Sequence, residues 1–135
     1  MKIVLDTNCL LVSIPKRSTY RWLWDLFRNQ QFILCYTTEI LEEYNEVIAD
    51  FYSIELAENI INEILNSPNA NPVTIFYKWQ LIKNDVDDNK FVDCAISAAA
   101  DLIVTNDKHF GILSEIDFPK VPVSDLLGFK NILQK

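Results

Sequence analysis

Short apolar runs alternate along this chain with longer stretches in which apolar positions recur every three or four residues. The first run, residues 2–6, ends in Asp6 and predicts a buried strand. Ser18 is placed to cap a helix to about Asn29, with Tyr20, Leu23, Trp24 and Phe27 on one face. Residues 32–36 predict a second strand, and Thr37 or Thr38 then caps a helix to about Asp50. A further helix runs from Ser53 to about Asn66, with Ile60, Ile61, Ile64 and Leu65 as its apolar face. Residues 69–72 read as a loop and residues 73–77 as a strand. Asp88 opens an alanine-rich helix to about Ala100, and residues 102–105 form the clearest buried strand. A short helix over 108–113, a strand over 121–123 and a last helix capped by Ser124 complete the series. Strands that alternate with helices predict a parallel sheet with helices on both faces.

Composition narrows the class. The chain has 135 residues, half of them hydrophobic, which suits one domain over 1–135. No apolar run is long enough for a membrane helix, so no membrane partner is expected. Met1-Lys2-Ile3 leads straight into the first strand and shows no signal-peptide pattern. The three cysteines, Cys9, Cys35 and Cys94, lie apart in apolar segments, as reduced core thiols of a cytoplasmic protein would. A net charge of −7 argues against passive nucleic-acid binding through a basic surface. It does not exclude a nuclease whose acids surround a cation. Lys16, Arg17, Arg21, Arg28 and Lys108 either meet phosphate or form solvated surface.

The acids differ in phase. At roughly 100° per residue, Ile40, Tyr44, Val47, Ile48 and Phe51 form a core-facing stripe on the second helix. Glu42 and Glu46 lie opposite it, with Glu39 nearby, while Glu43 sits at its margin and can look inward. In the alanine-rich helix Phe91, Cys94, Ala95, Ala98 and Ala99 form the core face, and Asp88 falls on that face at the helix start. Asp88 reads equally as a cap. Asp93 falls on the other side, where an exposed contact with Lys90 is expected. Asp107 follows a strand end, as Asp6 does. Asp6, Glu43, Asp88 and Asp107 thus aim at one rim, where open α/β sheets bind ligands. Hard oxygen donors of this kind suit Mg²⁺ or Mn²⁺. Such an ion acidifies an attacking water and stabilises the leaving oxygen of a phosphodiester. The one histidine, His109, is expected as a surface or phosphate-facing side chain, and no zinc set is evident.

These segments resemble the PIN domain. Val4-Leu-Asp6-Thr-Asn8, the helix from Thr38 through Glu43 to Ile48, Asp88-Asn-Lys-Phe91-Val-Asp-Cys-Ala95 and Ile103-Val-Thr-Asn-Asp107-Lys-His-Phe110 occur in the family's order over nearly the whole chain. They are nearest to the short prokaryotic toxin components of toxin–antitoxin pairs. The resemblance implies a three-layer αβα fold around a central parallel sheet. It implies a Mg²⁺- or Mn²⁺-dependent ribonuclease that cleaves single-stranded RNA, with Asp6, Glu43, Asp88 and Asp107 as catalytic and metal-binding acids. Thr7 and Asn8 match the residues that orient the first acid. Asp87 and Asp93 compete with Asp88 for the third position. A cognate antitoxin and a homodimer are implied partners. Two other readings are an RNA-processing nuclease that is not a toxin, and a non-catalytic interaction domain with Trp22 as its exposed aromatic. A phosphatase is disfavoured, because the chain has no glycine-rich phosphate loop and no Asp-x-Asp pair.

Overall fold

The two most continuous apolar runs lie side by side at the centre of the sheet in the computed structural model, which describes residues 1–83 and 85–134. β1 (Lys2–Leu5) pairs in parallel with β4 (Leu102–Val104), setting Leu5 opposite Val104. β2 (Ile33–Tyr36) lies on the other side of β1, followed by β3 (Ala70–Pro72), and β5 (Val123–Ser124) lies outside β4. Every pairing is parallel, in the order β3-β2-β1-β4-β5. Ile3, Val4, Ile103 and Val104 are fully buried, as strands covered on both faces require. The helices are α1 (Thr7–Ser13), α2 (Arg21–Arg28), α3 (Thr38–Phe51), α4 (Ile54–Asn66), α5 (Asn89–Ala98) and α6 (Leu126–Leu133). They make the expected three-layer α/β fold. No described helix is long and apolar enough to cross a membrane.

Several local features differ from the sequence pattern. α1 is not among the expected elements: the chain turns from β1 directly into a helix, with the Asp6 carbonyl accepting from the Cys9 and Leu10 amides. Ser18 does not cap α2. Its hydroxyl accepts from the Tyr20 amide and donates to the Val12 carbonyl, which shapes the turn before the helix. Thr37 caps α3 and Ser53 caps α4, whereas α6 is capped by Asp125 through the Gly128 amide at 2.7 Å, not by Ser124. Phe51 and Leu65, expected on apolar faces, are exposed near the ends of their helices. Ala99 is exposed too, in left-handed backbone (φ 51°) that ends α5.

The largest difference concerns residues 69–83. The expected loop holds β3, and the expected strand at 73–77 has no ladder. Pairing stops where β2 stops, after the Val73 amide reaches the Tyr36 carbonyl at 2.7 Å. Beyond it the chain is fastened by side chains. The Trp79 amide donates to Asp93 Oδ1 at 3.0 Å, and the Ile82 amide and carbonyl both bond the Asn89 side chain at 2.8 Å. We call residues 74–83 the strap.

Asn69 anchors the start of β3. It is buried, and its Nδ2 donates to the carbonyls of Phe27 (2.9 Å) and Phe32 (2.8 Å). Removing the Asn69 amide breaks both of these bonds at a buried position. Asn69→Ala should therefore lower stability by about 2 kcal/mol in urea unfolding, and an unchanged midpoint would refute this role.

Candidate metal centre

Register builds the rim. With Leu5 opposite Val104, Asp6 and Thr105 leave the sheet together, and the Asp6 amide donates to the Val104 carbonyl at 3.0 Å. The Thr105 hydroxyl donates to Asp6 Oδ2 at 2.7 Å and accepts from the Asp107 amide at 3.0 Å. One buried threonine thus fixes the first acid and the backbone of the fourth. On the other side of Asp6, the Thr7 hydroxyl donates to Glu43 Oε2. The Tyr44 hydroxyl, fully buried, donates to the Leu5 carbonyl and pins α3 to the end of β1.

The third acid arrives through a 3-10 turn, Val86–Asp88, that runs into α5. At three residues per turn, Asp85 and Asp88 fall on the same side. Carboxylate oxygens of Asp85, Asp88 and Asp107 and a ring nitrogen of His109 lie within 4.8 Å of one another. His109 Nδ1 stands 3.2 Å from Asp107 Oδ1 and 3.9 Å from Asp88 Oδ2. Asp88 is 8% exposed, and its Oδ2 has no hydrogen-bond partner among the described residues. A buried, unmatched carboxylate oxygen among other acids is a position a cation completes. Three of the four donors are hard carboxylate oxygens, which fits Mg²⁺ or Mn²⁺.

Electrostatics agree with the geometry. Burial, then Asp85, Asp107 and Asp6, push the Asp88 carboxyl up to about 7. Burial raises Asp6 as well, against the Thr105 hydrogen bond and together with Asp107 and Glu43. The metal-free native protein therefore holds protons, between roughly pH 4 and 7, that the unfolded chain has released. A group whose carboxyl is raised on folding destabilises the native state as pH rises through that window. Thermal unfolding with chelator should accordingly show stability falling from pH 5 to 7.5, Asp88 alone contributing up to about 1.4 kcal/mol per pH unit. Asp88→Asn should flatten the slope, and a stability that climbs over this range would contradict the crowded rim.

Of the four acids expected from the sequence, Asp88 and Asp107 lie in this cluster with Asp85 and His109. Asp6 and Glu43 lie outside it, Asp6 bonded to Thr105 and within the fields of Asp107 and Glu43, and Glu43 bonded to Thr7. Among the rivals for the third place, Asp87 is exposed. Asp93 is buried rather than solvated, and it holds the strap through the Trp79 amide. Burial, then partial relief from that amide and from Lys78, leaves its carboxyl raised. The expected Lys90–Asp93 contact is replaced: Lys90 Nζ lies 2.7 Å from Glu43 Oε1 and donates to the Asp87 carbonyl at 3.0 Å. Asp85 and Lys90 are two site residues that sequence reasoning does not single out. The i, i+3 spacing of Asp85 and Asp88 is a readable signal, whereas nothing local points to Lys90. Of the basic residues, Arg21 pairs with Asp25 and Arg28 with Glu63, while Lys108 and His109 stand exposed beside Asp107. Trp22 is half-buried against Phe129, with Lys130 over its ring, so it is not the free aromatic that an interaction-domain reading needs.

The sequence model of the PIN domain matches residues 2–109. No curated protein matches the chain. Among solved structures, VapBC2 from Rickettsia felis bound to a promoter DNA fragment is similar at TM-score 0.61 and 20% identity, covering 93% of this chain and 98% of that one. VapBC-1 from nontypeable Haemophilus influenzae is similar at TM-score 0.57 and 15% identity, with 94% and 99% covered. FitAB bound to an IR36 DNA fragment is similar at 0.58 and 14%, with 92% and 94% covered.

Proposed function

The chain belongs to the PIN domain family, and from that premise and the acidic rim we propose that it is a Mg²⁺- or Mn²⁺-dependent endoribonuclease of single-stranded RNA, the toxin component of a toxin–antitoxin pair. The observation that carries this is the orphaned Asp88 oxygen, buried beside Asp107 and within electrostatic reach of Asp6. Asp6, Asp88 and Asp107 would hold the ion, and Glu43, itself held by Thr7 and Lys90, would position the attacking water. When bound, the ion supplies Lewis-acid activation of water and neutralises charge on the phosphate. The chain's own part is orientation. Thr105 fixes the angle of the Asp6 carboxylate, and Thr7 fixes Glu43. Lys108 and His109 stand at the open side of the rim, where phosphate oxygens of the substrate arrive. The adjoining hollow is lined by Asp6, Asn8, Tyr20, Asn106 and Asp107, and a half-exposed Tyr20 offers a face on which a splayed base can stack.

The paired names of the similar structures, VapBC and FitAB, support an antitoxin partner for this chain, and a homodimer is proposed with it. The enzyme reading is tested on a random pool of single-stranded RNA beside a phosphomonoester. Cleavage of RNA with Mn²⁺, none with chelator and none of the monoester is the expected pattern. A pool left intact with Mn²⁺ overturns it. The toxin reading is tested in cells: induced expression should arrest growth, and a small DNA-binding protein encoded next to this gene should relieve the arrest.

A further inference from the structure

The rim is divided. At one side Asp85, Asp88 and Asp107 face one another and the His109 ring, with no lysine or arginine in ion-pair range among the described residues. At the other, both oxygens of Glu43 are taken: Oε1 by the Lys90 ammonium at 2.7 Å and Oε2 by the Thr7 hydroxyl. Lys90 is not a loose surface cation. Its side chain is 9% exposed, and the Asp87 carbonyl holds a second of its protons at 3.0 Å. The ammonium and the Glu43 carboxylate form a largely buried ion pair, and removing either partner leaves the other uncompensated. Lys90 is also delivered by the turn of chain that delivers Asp88, so the cation and the third acid are placed by the same helix start.

We infer that this rim takes one divalent ion, and that the Lys90 ammonium stands against Glu43 in the place a second ion would need. The inference rests on the rim being a metal centre. Asp6 lies between the two halves, bonded to Thr105 and within the fields of both Asp107 and Glu43, so it can serve the ion while Lys90 screens Glu43. Lys90 is thereby a positioning residue: it fixes the Glu43 carboxylate at the rim.

Manganese binding separates the outcomes, followed by the electron paramagnetic resonance signal of free Mn²⁺. The wild-type chain should saturate at one ion. Lys90→Met removes the charge but keeps an unbranched side chain, so Glu43 is freed and the count should rise to two. Glu43→Gln should stay at one ion, with Kd moved by less than the ~10-fold that loss of a supporting group costs. This arm keeps the test decisive even where Lys90→Met does not fold. Two ions on the wild type, one ion on folded Lys90→Met, or a tenfold weaker Kd for Glu43→Gln each overturns the inference. A wild type that binds no Mn²⁺ overturns the metal centre itself and this inference with it.

Discussion

Asp6→Asn should reduce RNA cleavage by ~10³-fold or more, since a bound ion supplies several kcal/mol of charge stabilisation and each 1.4 kcal/mol is tenfold in rate. The substitution is nearly isosteric. An asparagine oxygen can still accept from Thr105, and the backbone bond to Val104 does not involve the side chain. What disappears is one negative charge at the end of β1. The fold should survive, because Asp6 is buried among like charges and losing that repulsion favours the metal-free state. The far-ultraviolet circular dichroism of the variant should overlay that of the wild type. Asp87→Asn is the matched control: its carboxylate is exposed, unlike the buried Asp6, so activity should persist. Asp88→Asn should behave as Asp6→Asn does. Full Mn²⁺-dependent cleavage by Asp6→Asn would remove the site from the rim.

The second large effect is thermal. A ligand that binds the native state alone stabilises it by about 2.7 kcal/mol at one hundred times its Kd, which for a chain of this size raises Tm by roughly 8 °C. Saturating Mn²⁺ should produce a rise of this order at pH 7.5, where the rim is most highly charged. The control is monovalent salt at equal ionic strength, because screening alone would also relieve some repulsion. Asp88→Asn should lose most of the Mn²⁺ rise while starting from a higher metal-free Tm, since it no longer buries an unmatched charge. Equal stabilisation by Mn²⁺ and by the salt control would mean that the acids share no ion.

The parts of this architecture written in short-range pattern are legible in the sequence. An apolar run that ends in a carboxylate announces both a strand and what the strand delivers, which is why Asp6 and Asp107 are evident. Helical phase alone separates Glu43 from Glu42 and Glu46. The parts set by tertiary contact are not legible. Asp93 has the phase of a solvated residue, and it is buried because the strap crosses it. The strap in turn has the alternation of a strand but no partner strand beside it. Lys90 reads as the exposed mate of a neighbouring acid until α3 brings Glu43 within reach. α1 is hidden because no turn residue separates it from β1, the Asp6 backbone serving both elements.

The brevity of the two outer strands has a consequence for how this chain behaves among its own copies. β3 spans Ala70–Pro72 and ends in a residue with no amide proton. β5 spans Val123–Ser124 and is preceded by Pro122, whose carbonyl is already taken by the Ile103 amide. An open sheet with long, flat borders invites another strand to add on, and proline and brevity deny it a template. A half-hydrophobic chain is thus given sheet borders that offer a further strand little to pair with.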